Sequence, residues 1–114
     1  MSTYAYLGPV GTFTEAALQK IAGSGDQLIP YANVTATLDA VRSDQAQFAL
    51  VPIENSVEGV VARTLDELAT GEPLVITGEV TLPITFALLA RKGITELNRI
   101  ATHPHAESQC RTYI

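Results

Sequence analysis

The first 51 residues alternate between short β-prone runs and helical patterns, and this alternation constrains the fold more than any other feature. The β-prone runs are residues 4–7, 28–31 and 48–51, and the last of them is apolar throughout. An unbroken apolar run is typical of a strand that helices cover on both faces. Between the second and third runs, Leu38 and Val41 have the spacing of an apolar helix face. The order strand, helix, strand, helix, strand predicts an α/β fold with a parallel-rich sheet flanked by helices.

Capping signals indicate where the two helices begin. Thr12 and Glu15 have the spacing of a capping box, in which the threonine oxygen accepts a first-turn amide and the glutamate reaches back to the cap. Glu15 is therefore interpreted as a partner of the cap rather than as a catalytic acid. The second helix has two candidate caps, Asn33 and Thr35.

The second half of the chain has weaker patterns. Residues 57–68 have helical periodicity. Residues 74–89 form a long β-rich stretch with few charges, which we expect to be a pair of extended segments or one strand that passes between two lobes. Residues 94–98 are expected to form a short helix and residues 100–101 a brief strand. Pro104 stands where the first turn of another helix should be.

Composition excludes several classes of function. Seven Lys and Arg against twelve Asp and Glu give a net charge of −5, whereas binding to nucleic acid needs clustered cations. The single cysteine, Cys110, excludes an internal disulfide and a cysteine-based zinc site. His103 and His105 do not share a helix face and have no third partner, so no metal site is expected. No apolar stretch approaches the roughly 18 residues of a membrane span, and we expect a soluble, cytoplasmic protein without a membrane partner.

Three polar segments each follow an expected strand and open an expected helix, at residues 8–15, 54–59 and 102–109. Ligands of open α/β sheets bind beyond the carboxyl ends of the strands, where helix N-termini offer free amides and partial positive charge. This arrangement predicts a cradle for a small anion. Residues 8–12 lack the endings and spacing of nucleotide-binding loops, so a nucleotide is not expected. An ordinary turn-and-cap role for residues 8–12 and 54–56 stays open at this point.

The same segments resemble the signatures of the prephenate dehydratase family. Residues 6–14, Tyr-Leu-Gly-Pro-Val-Gly-Thr-Phe-Thr, are similar to its opening signature. Residues 52–59, Pro-Ile-Glu-Asn-Ser-Val-Glu-Gly, with Thr-Leu-Asp at 64–66, are similar to the second. The third is matched by Thr-His-Pro at 102–104 with Gln-Cys-Arg at 109–111. The three motifs occur in order and at matching intervals across nearly the whole chain, which makes the resemblance specific.

The resemblance implies a two-lobed fold like that of periplasmic binding proteins, with the substrate in the cleft. Residues 1–74 would belong to the first lobe, and residues 75–114 to the crossover and the start of an incomplete second lobe. The implied reaction converts prephenate to phenylpyruvate, with release of water and carbon dioxide, in L-phenylalanine biosynthesis. Because aromatisation drives this reaction, the resemblance implies no cofactor and no metal.

Further partners are implied by the family as well. L-Phenylalanine is expected to act as an allosteric effector through a C-terminal regulatory ACT domain that is missing from these 114 residues, and the full-length protein is expected to be a homo-oligomer. The family's catalytic threonine, in a Thr-Arg-Phe segment, has no match in this sequence. The 114 residues alone are therefore expected to be inactive. The alternative is a non-catalytic lobe of the same fold that binds a small carboxylate.

The resemblance also assigns the family's functional positions to individual residues of this sequence. Those implicated in catalysis correspond to Asn55, Thr102 and Gln109, and those implicated in substrate binding correspond to Thr12, Phe13, Glu54 and Ser56. Two positions depart from the family pattern. Thr102 stands where most members have serine, which keeps the hydroxyl but restricts its rotamers. Phe86 stands where many members have histidine, so no polar role is expected there.

Overall fold

A computed structural model describes residues 1–55, 59–102 and 104–113. Within these ranges the chain forms five strands and four helices. In chain order they are β1 (Thr3–Leu7), α1 (Phe13–Gln19), β2 (Gln27–Tyr31), α2 (Val34–Arg42), β3 (Phe48–Leu50), β4 (Glu54–Asn55), β5 (Gly59–Val60), α3 (Ala62–Thr70) and α4 (Pro104–Gln109).

The main sheet has three parallel strands in the order β2-β1-β3. In the central strand, Ala5 lies opposite Ile29 of β2 and Ala49 of β3. Parallel strands need crossover connections, and α1 and α2 supply them here. The predicted α/β fold with a parallel sheet flanked by helices is confirmed.

The two crossover helices cover opposite faces of the sheet, since successive side chains of a strand point to opposite sides. Ala5 is buried in a cluster with Ala40 of α2. Its neighbour Tyr6 is buried on the other face and donates its hydroxyl to Glu15 of α1 at 2.9 Å. The α1 connection runs from β1 to the neighbouring β2, and the α2 connection runs from β2 across β1 to β3 on the opposite face. The gap between the carboxyl ends of β1 and β3 is the topological switch point at which open α/β sheets bind ligands.

Helix α2 begins after Asn33, the first of its two candidate caps. Asn33 is the N-cap, and its side-chain oxygen accepts the Ala36 amide at 2.8 Å. The Thr35 hydroxyl instead donates to Glu67 of α3 at 2.9 Å. Leu38 is buried and Val41 packs against the core, so the predicted apolar face of this helix is confirmed.

Arg42 fastens α3 to α2. Its Nη1 lies 2.9 Å from Asp39 Oδ1 and 3.0 Å from Glu67 Oε1. Its Nη2 donates to the Glu67 carbonyl at 3.1 Å, and its Nε donates to the Glu72 carbonyl at 3.1 Å. The bond from Arg42, followed by that from Thr35, lowers the pKa of Glu67 below its ordinary value. One guanidinium thus fixes both the last turn of α3 and Glu72, two residues beyond the helix.

The expectation that helices cover both faces of the third β-prone run is wrong at Phe48. This side chain is 38% exposed, because β3 lies at the edge of the three-stranded sheet and α1 lies over β1. Phe48 instead stacks on Tyr4 of the neighbouring strand, with ring centroids 5.2 Å apart.

The helix predicted at 57–68 begins later, at Ala62, because the chain before it forms a hairpin. Strands β4 and β5 pair antiparallel, with Glu54 opposite Val60 and Asn55 opposite Gly59. Gly59 has a φ of +84°, a conformation that glycine adopts at little cost. Val60 therefore belongs to a strand and Val61 to the N-cap of α3, although both fit a helix-like pattern, and Val57 lies outside the described residues.

Residues 74–89 form no strand, residues 94–98 no helix and residues 100–101 no strand. The predicted helix, the predicted brief strand and the single-strand alternative for residues 74–89 are therefore wrong, whereas the alternative of a pair of extended segments stays a prediction. A strand needs a hydrogen-bonded neighbour, and the described residues provide none for this segment. Five residues are too few for a stable isolated helix. Large apolar side chains of the segment stay exposed, with Val75 at 86% and Leu89 at 85%.

Candidate functional site

The loop between β1 and α1 is held close to the end of β2. The Gly8 amide donates to the Tyr31 carbonyl at 2.9 Å. A Cβ on residue 8 would lie 2.8 Å from the Pro30 Cβ, a distance that van der Waals repulsion forbids, so this approach requires glycine. Residues 8–10 and 30–32 line an open groove of about 490 Å³ at the carboxyl ends of the two strands.

Glu15 organises the start of α1. Its Oε1 accepts the Gly11 amide at 3.0 Å, and its Oε2 accepts the Tyr6 hydroxyl at 2.9 Å. Thr12 is the N-cap, and its Oγ1 accepts the Glu15 amide at 3.5 Å. The threonine half of the predicted capping box is confirmed. The glutamate half differs, because the carboxylate reaches Gly11, one residue before the cap.

Burial of the ring, and then its hydrogen bond to Glu15, raise the pKa of Tyr6 above the ordinary value of 10.0. The phenol therefore stays protonated and remains a donor to the carboxylate at neutral pH.

Several backbone amides around the start of α1 already have partners within the protein. Those of Gly11 and Glu15 are bonded to side chains, and that of Ala16 donates to the Thr12 carbonyl at 3.1 Å. The Glu15 carboxylate also places a negative charge at this helix end, which opposes an anionic ligand. The same end also presents the half-buried Thr12 and the Phe13 ring, which is 44% exposed.

The β4–β5 hairpin follows the carboxyl end of β3, next to that of β1. Thr64 of α3 is fully buried and donates its hydroxyl to the Pro52 carbonyl at 2.7 Å. The Val61 amide donates to the Ile53 carbonyl at 2.9 Å. These two bonds tie the base of the hairpin to the first turn of α3. Functional reasoning from the sequence did not single out Thr64, although it stands first in the Thr-Leu-Asp part of the second signature.

Two of the predicted residues, Glu54 and Asn55, lie on this hairpin. Glu54 is exposed and pairs through its backbone with Val60. The backbone of Asn55 pairs with that of Gly59. Ser56 lies outside the described residues.

The third polar segment contains α4 and an open groove. Gln109, at the end of this helix, is half-buried and lines a groove of about 440 Å³. The remaining lining residues are Phe86, Leu88, Cys110, Thr112 and Tyr113. Thr102 is exposed, precedes the helix and does not line this groove. The helix begins at Pro104, and His103 lies outside the described residues.

Phe86 connects the groove to the start of α1. Its ring meets that of Phe13 edge to face, with centroids 5.7 Å apart and planes at 85°. The structure thus brings together Phe13 and Gln109, two of the predicted site residues, through a residue that the sequence marked only as a departure from a family pattern. No local signal could have revealed this contact, because Phe13 and Phe86 lie 73 positions apart.

Over the described ranges, no group of three His, Cys, Asp or Glu side chains is placed to hold a metal ion. The described helices are too short or too polar to cross a membrane.

Comparison with known sequences gives consistent matches. The family model described as prephenate dehydratase matches residues 4–114. Prephenate dehydratase of Amycolatopsis methanolica is 48% identical over 114 residues, which is 100% of this chain and 38% of that protein. The enzyme of Mycobacterium marinum is 43% identical over 125 residues, covering 100% of this chain and 40% of that protein. The chain therefore spans about two fifths of the length of these relatives.

Solved structures agree with the sequence matches. The crystal structure of prephenate dehydratase from Arthrobacter aurescens, in complex with L-Phe, is 52% identical with a TM-score of 0.80 and covers 97% of this chain and 37% of that one. Prephenate dehydratase from Streptococcus mutans is 40% identical with a TM-score of 0.58, over 63% of this chain and 37% of that one. The likeness confirms the α/β, periplasmic-binding-protein-like fold class. On its sequence signatures, its fold and these matches, the chain belongs to the prephenate dehydratase family.

Proposed function

We propose that the protein catalyses the conversion of prephenate to phenylpyruvate, a decarboxylating dehydration in L-phenylalanine biosynthesis. The family match over residues 4–114 carries this proposal, and the structural likeness at 52% identity supports it. Because the chain spans about two fifths of its relatives' length, the activity is proposed for the full-length protein, meaning this sequence in its complete natural chain.

The proposed division of the chain places residues 1–74 in the first lobe and residues 75–114 in the crossover and the start of the second. All five described strands and the first three helices fall within the first range, whereas α4 alone falls within the second. Residues 71–102, the described part of the chain between α3 and α4, form no helix or strand, which suits a connection between lobes.

The reaction needs orientation more than it needs a strong acid or a metal. The bond from the ring to its carboxylate breaks, and the electron pair moves into the ring as carbon dioxide leaves. The carbon–oxygen bond of the ring hydroxyl breaks, and the oxygen takes up one proton and departs as water. Because the product ring is aromatic, the chemical step is strongly downhill. The protein must therefore hold the substrate with both leaving groups aligned.

Neutral hydrogen-bond donors suit that task. In the proposed assignment Asn55, Thr102 and Gln109 orient the substrate's carboxylates and hydroxyl, together with a threonine beyond these residues. Preorganised amides and hydroxyls stabilise charge as it moves without reorganising during the reaction. Gln109 is supported best, because it is half-buried in an open groove with an apolar lining.

The substrate-binding assignments have different degrees of support. Thr12 and Phe13 follow β1 at the switch point of the sheet, where ligands of this fold class bind. Glu54 and Ser56 are proposed from the family position that follows β3. Thr12 and Phe13 therefore have the stronger structural argument.

Regulation and assembly are proposed from the family and its solved member. The Arthrobacter aurescens protein was solved with L-Phe bound, which supports L-phenylalanine as an allosteric effector of the full-length protein through a C-terminal regulatory domain. We further propose a cytoplasmic location and a homo-oligomeric full-length protein.

Formation of phenylpyruvate from prephenate by the purified full-length protein tests the proposed function. We expect turnover by that protein and none by the 114-residue chain assayed in parallel. A folded full-length protein that binds prephenate without turnover would instead indicate a carboxylate-binding lobe.

A further inference from the structure

Phe86 joins two parts of the candidate site that lie far apart in sequence. Its ring contacts that of Phe13 in the first turn of α1. It also lines the groove that contains Gln109 at the end of α4. A single side chain therefore contributes to both the aromatic contact and the groove.

The two rings are not packed into the core that the described residues form. Phe86 is 40% exposed and Phe13 is 44% exposed, whereas a phenylalanine that serves a core is buried in it. Part of each ring stays accessible beside the edge-to-face contact, and Phe86 lies in the groove. Open aromatic faces next to a polar amide are typical of a small-molecule site, in which apolar walls bind the ligand and few polar groups orient it.

The geometry suits a flat six-membered ring. The two phenyl planes meet at 85° and form a corner with two walls. An unsaturated ring that packs against one wall presents its C–H edge to the π face of the other, which is the favourable arrangement for aromatic groups. Gln109, on the same groove, supplies an amide that can bond to a polar substituent of that ring.

We propose that Phe86, together with Phe13, forms the wall against which the ring of prephenate packs, and that Phe86 sets the preference of the site for an unsaturated six-membered ring. This inference rests on the proposed function. Because an apolar wall contacts the ring before and after the reaction, its removal weakens binding more than it slows the chemical step.

The test compares variants of the full-length protein. Phe86→Ala is expected to raise the KM for prephenate by about tenfold, while kcat changes by less than about threefold. Phe86→Tyr, which keeps both ring faces, is expected to remain within about twofold of the wild-type KM. Leu89→Ala is the matched control, since Leu89 lies in the same segment, is 85% exposed and does not line the groove.

If Phe86→Ala does not fold, Phe86→Leu is tested in its place. Leucine keeps most of the apolar volume but has no π faces. An unchanged KM together with a lower Tm in these variants would overturn the inference, since Phe86 would then pack against another part of the protein.

A second readout separates this inference from the proposed function. Phenylpyruvate, which carries the same six-membered ring, is titrated by calorimetry into the wild type and the Phe86 variants. If the wild type shows no turnover, the proposed function fails. Weaker binding of phenylpyruvate to Phe86→Ala would still support the proposal that Phe86 packs against the six-membered ring. Equal binding, or no binding to either protein, would refute it.

Discussion

Thr64 donates its hydroxyl to the Pro52 carbonyl at 2.7 Å and thereby ties helix α3 to the chain that leaves β3. Both partners of this bond flank the hairpin that carries Asn55. The hydroxyl is buried, so no water can take its place. Correct placement of the hairpin thus depends on a residue that has no role of its own in the proposed chemistry.

Replacing Thr64 with valine keeps the volume but leaves the Pro52 carbonyl without this donor. We expect the free energy of unfolding to fall by about 1–3 kcal/mol, the usual cost of an unsatisfied buried polar group. Thr70→Val is the control, because the Thr70 hydroxyl bonds to the Asp66 carbonyl at an exposed site. Urea unfolding of the full-length protein measures both, and equal losses would contradict the argument.

Replacing Tyr6 with phenylalanine removes one of the two donors to the Glu15 carboxylate. The folded protein raises the pKa of Tyr6 above 10.0. Its contribution to stability is therefore complete below the unfolded pKa and is lost as the pH rises through the folded one. Denaturation midpoints of the wild type should fall more steeply than those of Tyr6→Phe above about pH 10. Parallel curves would show that Tyr6 does not titrate with unfolding.

Replacing Glu67 with glutamine tests the ion pair with Arg42. The folded protein lowers the pKa of Glu67 below 4.5, so its contribution is present above that value and is lost as the pH falls through the folded pKa. The wild type should be more stable than Glu67→Gln at neutral pH, and the difference should shrink below pH 4.5. Asp66→Asn, at an exposed neighbouring position, should show no such convergence.

Replacing Gly8 with alanine puts a methyl group 2.8 Å from the Pro30 Cβ. We expect a loss of about 1–3 kcal/mol, as for other overpacked sites, together with a higher KM because the neighbouring loop carries Thr12. Gly25→Ala is the control, since a Cβ there meets nothing within 4 Å. Thermal unfolding and steady-state kinetics of both variants check the prediction, which fails if the two behave alike.

Replacing Asn55 with alanine distinguishes the proposed enzyme from a binding lobe. For an enzyme, kcat should fall by roughly a hundredfold, the effect of removing one preorganised donor, while prephenate affinity falls less. For a binding lobe, affinity falls and there is no turnover to lose. Asn98→Ala, in the exposed segment between α3 and α4, should leave both quantities unchanged.

The elements of the parallel sheet could be predicted because their signals are local. Thr12 and Asn33 cap helices whose first turns directly follow them, and the apolar spacing of Leu38 and Val41 is visible within a single helix. The carboxylate of Glu15 was also recognised as a partner of the cap. Its bond to Gly11 rather than to the cap residue depends on the shape of the loop, which the spacing does not specify.

Long-range contacts explain what the sequence did not reveal. The β4–β5 hairpin shares its apolar residues with a helix-like pattern, and only the pairing of Asn55 with Gly59 distinguishes the two. The β-rich stretch at 74–89 has the propensity of strands but no described neighbour to pair with. Phe86 reaches Phe13 through tertiary packing alone. The site residues were found by resemblance, whereas their arrangement required the fold.

The Arg42 guanidinium occupies the space beside Gly71. A Cβ on residue 71 would run into Nη2 of Arg42 and lie 2.7 Å from its Cζ. The Glu67 carbonyl oxygen would lie 2.7 Å from the same Cβ, so moving the arginine aside would not make room for a side chain. Two independent obstacles, a guanidinium and the backbone that ends α3, thus require glycine at position 71. Homologues that end α3 in this way should keep glycine there whatever residue they carry at position 42, although 28 residues of chain separate the two positions.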